Sequence, residues 1–596
     1  MDIAVSKSER PAGLSLVQAI SVGVNTTSPA YSLAAILAPM ALLVGYATPI
    51  VLLISFIPMA LTSLAFMFLN RRDADCGTTF SWVTRAIGPR SGFLAGWAIM
   101  AAGILILGSL AETAITYGLL TLGLDSLAEN RTVIMGMAAG LIVFMTGLSI
   151  LGTESSARLQ TVLTIAQVGI LLIFGVGSAI LAFRTGLPTF TSDWYNPLAY
   201  GLDALVAAML LGVFAFWGWE AATNLSEECR KPSDAGKAGV LSTIILLGTY
   251  LLVAIFVVMY LGQSGFFPVG ESGLVLVDMS GVVLGPFAFL VLLAVALSAI
   301  ASTQSSMVPG SRAVLSMARR GALPARLGLT HPRFKSPWVS LVLVGGVAAG
   351  WYLAVSSISE NAMLDTLSSL GILVAFFYSI TGIACVVYFR RHVGSSLKGL
   401  LFVGLGPTLG SIGLVFMLIV GIRSVSNPAD SASGVPWLGL APPLAISALV
   451  MGIGCLVMAI RWIRSPRFFR KGRESANFAQ SPFPLGTDVA IPAGGVLIDC
   501  NDSAEQVLAK VAEARPVIAN TRPVSLVFGV HPAGLSGEEF DEAREVLIEE
   551  GHGIFTEVTR ALRAEGAPSP FLIYEEADTH GSVRLAQERT QPSATV

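Results

Sequence analysis

Along most of the chain, apolar residues come in long unbroken runs rather than at alternate positions or along one helical stripe. A helix rises about 1.5 Å per residue, so about 20 apolar residues cross a hydrocarbon layer about 30 Å thick. Twelve runs are of this size: 13–35, 42–69, 93–120, 132–151, 158–183, 201–225, 238–262, 283–309, 337–356, 366–389, 400–422 and 437–463. They predict an all-α polytopic membrane protein with twelve transmembrane helices. The first run is too long for the apolar part of a signal peptide and has no small-residue cleavage site, so it reads as a retained helix. The stretch 263–282 holds apolar pieces too short to span. Two connecting segments, 77–91 and 311–328, mix apolar and basic residues and are expected to lie as amphipathic pieces at the membrane surface.

Beyond Arg473 the pattern changes. Residues 474–493 are rich in Pro, Gly, Ser and Ala. Strands are then expected at 495–500, 523–530 and 570–576, with helices at 503–518 and 537–564. Alternation of this kind predicts a small parallel α/β domain. The expected organisation is an N-terminal tail over 1–12, a twelve-helix domain over 13–465, a linker over 466–493, and an α/β domain over 494–596.

Composition agrees with lipid as the main solvent: 12% of the 596 residues are charged, and the mean hydropathy is +0.74. A net charge of −2 suggests no nucleic-acid partner. That figure hides an asymmetry. Residues 1–473 carry 28 Lys and Arg against 19 Asp and Glu, whereas 474–596 carry 8 against 19. With both termini placed in the cytoplasm, 25 of those 28 basic residues fall on the inner side. Only Arg131, Arg184 and Arg423 fall outside. This bias is what the positive-inside rule demands of a multi-pass protein of the cell membrane.

Several function classes are disfavoured. The five cysteines include no CxxC pair, so neither a disulfide framework nor a metal knuckle is indicated. No GxxxxGK[ST] loop is present, which argues against an ATP-driven pump. His331, His392, His531, His552 and His580 all lie outside the apolar runs, which excludes a histidine relay in the membrane and leaves little for an enzyme to use.

The candidate site rests on two interruptions. In hydrocarbon each backbone N–H and C=O needs a partner, so a polar, proline-containing stretch inside a span is costly unless it lines a cavity. Residues 23–31, GVNTTSPAY, form such a stretch, and Asn25, Thr26, Thr27 and Ser28 are candidate ligand contacts. A freed helix N-terminus there attracts an anionic group such as a carboxylate. The plainer reading is a proline kink with hydroxyls bonded to the preceding turn. In the sixth run, LLGVFAFWGWEAATNLSEECRKP places Phe214, Trp217 and Gly218 beside Glu220, an acid within the membrane. Glu220 either serves the transport chemistry or pairs with a neighbouring polar group to hold the bundle. Breaks in the first and sixth helices, five apart, are the mark of inverted-repeat transporters with a midplane site. Glu112 is a second intramembrane acid. It either meets a cationic substrate or sits in a wet vestibule. Ser302 and Thr303 offer hydroxyl oxygens suited to a hard cation, or else bond the turn before them.

Three segments in register extend this reading. FAFWGWEAATNLSEECRKP, TTFSWVTRAIGPRSGFLAGW and SRAVLSMARRGALPARLGLTHPRFKSPW resemble the amino acid–polyamine–organocation (APC) superfamily of permeases over about residues 13–463. The resemblance implies a leucine-transporter-like fold of five-plus-five inverted repeats, with helices 1 and 6 broken. It also implies movement of amino acids or related amines by alternating access. Carried onto this chain, the substrate carboxylate meets Thr27, Ser28 and Pro29, and Phe214 stacks on or gates the substrate. Glu220 matches a position tied to proton sensing in some relatives. The family's Gly-Ser-Gly triplet is absent, and the hydroxyls of Thr26, Thr27 and Ser28 stand in for it. Gln167 occupies a position where some proton-coupled relatives carry lysine. Ser302 and Thr303 match the helix 8 hydroxyls that bind sodium in others. No organic cofactor or metal is implied, and H+ or Na+ coupling stays open. The alternative is a substrate sensor with a permease fold. GVLIDCNDSAEQVLAKVAEARP resembles the opening of a universal stress protein fold but lacks its nucleotide-binding glycines. A regulatory module, or one through which a homodimer forms, is expected there; the plainer reading is a folded tail with no role in transport.

Overall fold

The computed structural model describes residues 13–471, apart from 152, 187–190, 265–274 and short stretches after 331, 358, 390 and 424. It also describes 496–499, 506–507, 509–510, 524–529, 571–575 and 594–595. The chain divides into two compact units, Met1–Ala476 and Asn477–Val596.

The first unit is helical. Among the described residues, eleven helical stretches are long and apolar enough to cross a membrane, and the first of them runs 57 residues from Leu16 to Arg72. At about 1.5 Å per residue that is far more than one bilayer thickness, and local chemistry divides it. Helix α1 (Leu16–Thr27) ends before Pro29, whose ring clashes with a continuing helix. Helix α2 (Pro29–Val44) ends at Gly45, which has φ 48°, and a 3₁₀ turn over Gly45–Ala47 leads into α3 (Thr48–Arg72).

After α4 (Thr79–Ala86) comes α5 (Pro89–Thr121), the most enclosed span, with 89% of its apolar window buried. The short α6 (Asp125–Ala128) leads to α7 (Arg131–Ile150) and α8 (Thr153–Thr185). Only 22% of the window is buried in α7, and side chains such as Val143 and Phe144 face outward. An apolar helix with a bare apolar face is one that meets lipid, so α5 is the axis of the bundle and α7 belongs to its rim.

Helix α9 (Leu202–Ala215) breaks at Phe216–Gly218 and continues as a 3₁₀ segment, Trp219–Leu225. Then follow α10 (Pro232–Ser264), α11 (Val275–Leu284), α12 (Phe289–Ser305), α13 (Met307–Arg319), α14 (Trp338–Ile358), α15 (Ala362–Phe389), α16 (Gly406–Ser424) and α17 (Pro442–Arg464).

Two expectations are corrected here. The segments 77–91 and 311–328 do not lie on the surface as a whole: Thr79–Thr84 of α4 and Ser311–Ala318 of α13 are buried. Four of their basic residues find acids outside the two segments. Arg85 pairs with Asp73 and Asp75, Arg320 with Asp75, Arg312 with Glu228, and Arg319 with Glu227 at 3.0 Å. Neutralised in this way, mixed segments pack inside the bundle instead of floating on headgroups.

In the second unit, β1 (Val496–Asp499), β2 (Val524–Gly529), β3 (Phe571–Glu575) and β4 (Ala594–Thr595) form a parallel sheet in the order β3-β2-β1-β4. Val496 pairs with Val524, and Ser525 with Phe571. Parallel neighbours require long crossovers. The helices expected at 503–518 and 537–564 lie outside the described residues, apart from Gln506, Val507, Ala509 and Lys510.

Candidate functional site

The two interruptions meet. At the α1–α2 break a single residue, Ser28, takes left-handed angles (φ 55°, ψ 66°), while its N–H still reaches the carbonyls of Val24 and Asn25. Pro29 then opens α2, so the first N–H groups of that helix have no carbonyl within it to bond. At the second break Gly218 has φ 119°. A Cβ there would lie 2.8 Å from the carbonyl carbon of Thr26 and 2.9 Å from the nitrogen of Thr27. Backbone therefore packs on backbone, and only glycine satisfies both the angle and the gap.

Around this contact is a cavity of about 10 Å³, lined by Thr26, Thr27 and Ser28 from one break and Phe214 and Trp217 from the other. Tyr31, Ile106 and Ser302 also line it. Such a space holds about one water. Tyr31 closes one side: its ring meets Phe214 edge-on at 6.4 Å, and its hydroxyl lies 2.9 Å from Ser109 Oγ.

The hydroxyls divide between two jobs. Thr26 and Thr27 donate to the carbonyls of Val22 and Gly23, one turn back. Thr303 does the same to Ala299. Ser302 instead donates to the Thr26 carbonyl at 3.0 Å, and Ser28 Oγ lies 2.9 Å from Ser298 Oγ. So α12 grips the α1–α2 break through Ser298 and Ser302. These are four residues apart and therefore share a helix face.

Glu220 does not line the cavity. Fully buried, it accepts hydrogen bonds from Trp217 Nε1 (3.0 Å) and the Gly218 N–H (3.1 Å), and from the hydroxyl of Tyr378. It ties the unwound stretch to α15. Asn25 also turns away from the cavity, into a set of neutral groups on α8 and α12. Its Nδ2 donates to the Gln160 carbonyl (2.7 Å) and side chain, and its Oδ1 accepts from Thr164 (2.9 Å) and Gln167. Gln160 Nε2 continues the chain to the Ala301 carbonyl (3.0 Å) and Gln304 (2.9 Å). Thus Gln167 joins Asn25, and Glu112 stands apart in a second cavity with Glu129 and Arg131. Sequence reasoning missed Tyr31, Ser109, Gln160, Ser298 and Tyr378. The four-residue spacing of Ser298 and Ser302 was the readable signal; the others need the packing.

At the end of the bundle where α3 leads into α4, Asp75, Cys76 and Glu227 place potential ligand atoms within 4.8 Å of one another. The carboxylates are already engaged: Asp75 by Arg320, Ser81, Ser316 and the Gly77 N–H, and Glu227 by Arg319 and the Cys76 N–H. Burial alone would raise the Asp75 carboxyl, but the Arg320 guanidinium and these hydrogen bonds hold it below the usual carboxylate range. Burial and the neighbouring Glu227 and Asp75 charges push the Cys76 thiol well up, so it stays protonated. An ion-pair cluster, not a metal centre, is what these groups build.

A multi-pass helical bundle with two broken spans in backbone contact at a buried polar point is the architecture of membrane carriers. The amino acid permease family model matches residues 14–439, and the chain belongs to that family. It is 27% identical over 395 residues to the vacuolar cationic amino acid transporter 4 of Arabidopsis thaliana, an alignment covering 64% of this chain and 63% of that one. With the low-affinity putrescine importer PlaP of Escherichia coli (strain K12) it shares 24% over 410 residues, 64% of this chain and 87% of the importer. With the methylthioribose transporter of Bacillus subtilis it shares 25% over 423 residues, 67% and 84% of the two chains. These relatives are transporters, not enzymes. A mutant of the Eremococcus coleocola manganese transporter superposes with a TM-score of 0.50 at 13% identity, over 78% of this chain and all of that one; this shows a shared fold.

Proposed function

We propose that the chain is a secondary transporter that moves an amino acid or related amine across the cell membrane by alternating access. The observation that carries this is the contact of Gly218 with the Thr26–Thr27 peptide beside the cavity. Two spans that stop and restart at one point leave backbone groups for a ligand at mid-depth, where a carrier must hold its cargo. In this reading twelve spans form two inverted five-helix halves plus two further helices, Leu16–Arg72 supplying two of the twelve. Both termini lie in the cytoplasm, on the side of the basic loops. The 494–596 unit is a cytoplasmic α/β module with a regulatory role.

The cavity is too small for an amino acid, so the described conformation is a contracted one. Substrate enters when Phe214, Trp217 and Tyr31 withdraw. The first N–H groups of α2 receive a carboxylate, and Phe214 covers the ligand. Glu220 positions the second break rather than touching cargo. A hard cation fits best where the Thr26 carbonyl meets Ser302, while Gln167 cannot titrate and supplies no proton. The names of the relatives support cationic amino acids and polyamines as the first compounds to try.

The test is uptake into proteoliposomes from a mixture of amino acids and polyamines, read by mass spectrometry, with an imposed proton gradient, an imposed sodium gradient, or neither. Accumulation of one compound under one gradient fixes cargo and coupling together. Folded protein that accumulates nothing sinks the reading and turns attention to a sensor.

A further inference from the structure

The chain does not leave the bundle at the end of its last span. Ser465 stops α17, because a residue before proline is turned away from helical angles, and a short helix α18 (Arg467–Lys471) follows. Its sequence is RFFRK. Aromatic rings at a membrane edge commonly lie among the headgroups; these two turn inward. Phe468 and Phe469 are each only 9% exposed. Phe468 stacks on Phe80 of α4 with 5.8 Å between ring centroids. Phe469 packs on Phe93 of α5 at 5.9 Å and on Trp462 of α17 at 6.2 Å.

Phe80 backs the ion-pair cluster. The next residue, Ser81, donates to Asp75 at 2.6 Å. Arg320, which pairs with Asp75, lies over the Phe80 ring at 6.0 Å. Phe80 has little room to shift: a Cβ added at Gly96 of α5 would lie 2.8 Å from the Phe80 Cβ and 3.0 Å from Met317 Sδ. The seat of Phe468 is therefore tied to the position of α4, and α4 to Asp75.

A second grip falls on the basic side of the cluster. Beyond Arg319 and Arg320, helix α13 closes at Gly321 (φ 73°), whose N–H reaches the Ala318 carbonyl at 3.0 Å, while the Ala322 N–H reaches that of Met317 at 2.8 Å. This pair of bonds is the glycine-ended helix stop, which leaves the next carbonyls free to accept. Those of Gly321, Ala322 and Leu323 accept from the Arg461 guanidinium of α17 at 3.0, 3.2 and 3.4 Å. A cation at a helix C-terminus also meets the negative end of its dipole. The ion pairs join α13 to the Asp75 turn, and the end of the last span holds each of them from behind.

We propose that α18, together with Arg461, is a brace on the ion-pair cluster. Seated, it keeps α4 and the α13 terminus in register and this end of the bundle closed; unseated, it lets the cluster part. The chain continues from Lys471 into the second unit, Asn477–Val596, so the brace lies on the covalent path between that unit and the cluster. Its control of uptake rests on the transport reading; its hold on the cluster does not.

The experiment is labelling of Cys76 by a polar maleimide, resolved by site with mass spectrometry, on the full chain in lipid nanodiscs, with liposome uptake measured in parallel. The variants are Phe468→Ala, Arg461→Gln and, as a control, Ile463→Ala, whose side chain is 82% exposed. Cys76 is 3% exposed, and we expect it to label at least tenfold faster in the first two variants and at the wild-type rate in the control. Uptake is expected to change at least threefold in the same two. Arg461→Gln leaves the packed rings untouched, so it reports even where Phe468→Ala fails to fold. Cys385, fully buried in α15, is the internal reference: a rise there as large as at Cys76 is general loosening and overturns the proposal. Wild-type labelling in the folded variants overturns the brace, and faster labelling with unchanged uptake overturns its control of transport. If wild-type liposomes take up nothing while labelling of Cys76 still rises, the transport reading fails and the brace stands.

Discussion

Two polar regions of the bundle are held together by opposite means. Around the α1–α2 and α9 breaks the groups are almost all neutral: hydroxyls, carboxamides and backbone, with Glu220 the one acid among the described residues. At the end where α3 leads into α4, Arg85, Arg312, Arg319 and Arg320 meet Asp73, Asp75, Glu227 and Glu228. The difference follows from burial. A charge is costly in a dry interior but can be kept where water still reaches: the Arg320 and Asp75 side chains are 26% and 15% exposed. Neutral hydrogen bonds contribute about 1 kcal/mol each and can be exchanged singly, which suits a centre that must open. Interlinked ion pairs break together, which suits a latch.

The largest expected effect is at the centre. Gly218→Ala meets both a positive φ and the Thr26–Thr27 backbone, so neither rotation nor a side-chain shift relieves it. We expect uptake to be lost at least a hundredfold and thermal stability to fall, checked by liposome flux and a melting curve. Wild-type flux in this variant would mean that the two breaks separate more easily than their contact implies.

Next comes the latch. Arg320→Ala leaves Asp75 with Arg85 as its remaining salt-bridge partner, at 3.5 Å, and is expected to cost about 1–3 kcal/mol, less than a fully buried pair because water shares the site. If the cluster is a latch, Cys76, which is 3% exposed, will react faster with a polar thiol reagent in this variant. An unchanged labelling rate would reduce the cluster to scaffolding.

Glu220→Gln comes third. Its amide cannot accept from both sets of donors, so Trp217, the Gly218 N–H and Tyr378 lose part of their cap, at about 1–3 kcal/mol. A drop in flux with the pH dependence retained would mark Glu220 as a positioning residue, whereas loss of the pH dependence would make it a proton carrier.

The smallest effect concerns pH at the latch. The folded Asp75 carboxyl lies below its ordinary value of 3.8. Its contribution is therefore present above that value and is lost only as pH falls through the lower folded one. Melting temperatures of wild type and Asp75→Asn should differ by a constant amount down to about pH 4 and converge below it. Convergence near neutrality would contradict the ion pairing.

Much of this was legible beforehand, for definite reasons. Run length reveals a spanning helix because the bilayer sets one thickness. Pro29 and Gly218 reveal breaks because backbone sterics are local. What the linear pattern lacks is rotation about the helix axis and partners distant in sequence. Asn25 sits in the interrupted stretch, yet its phase on α1 turns it to Gln160 and Gln167 on α8. The basic segments at 77–91 and 311–328 looked like surface pieces because the acids that neutralise them, Asp73, Asp75, Glu227 and Glu228, come mostly from other loops. Tyr378 lies more than 150 positions from Glu220, and no periodicity joins them.

The neutral lattice of Asn25, Gln160, Gln167 and Gln304 has an electrical consequence. A membrane potential of 100 mV does about 2.3 kcal/mol of work on each elementary charge that crosses it. Carboxamides and serine hydroxyls carry no charge, so the field has no handle on the parts of α1, α8 and α12 that they join. Among the described residues of this centre, voltage then acts through Glu220, and beyond them through whatever charge the cargo and any accompanying ion bring.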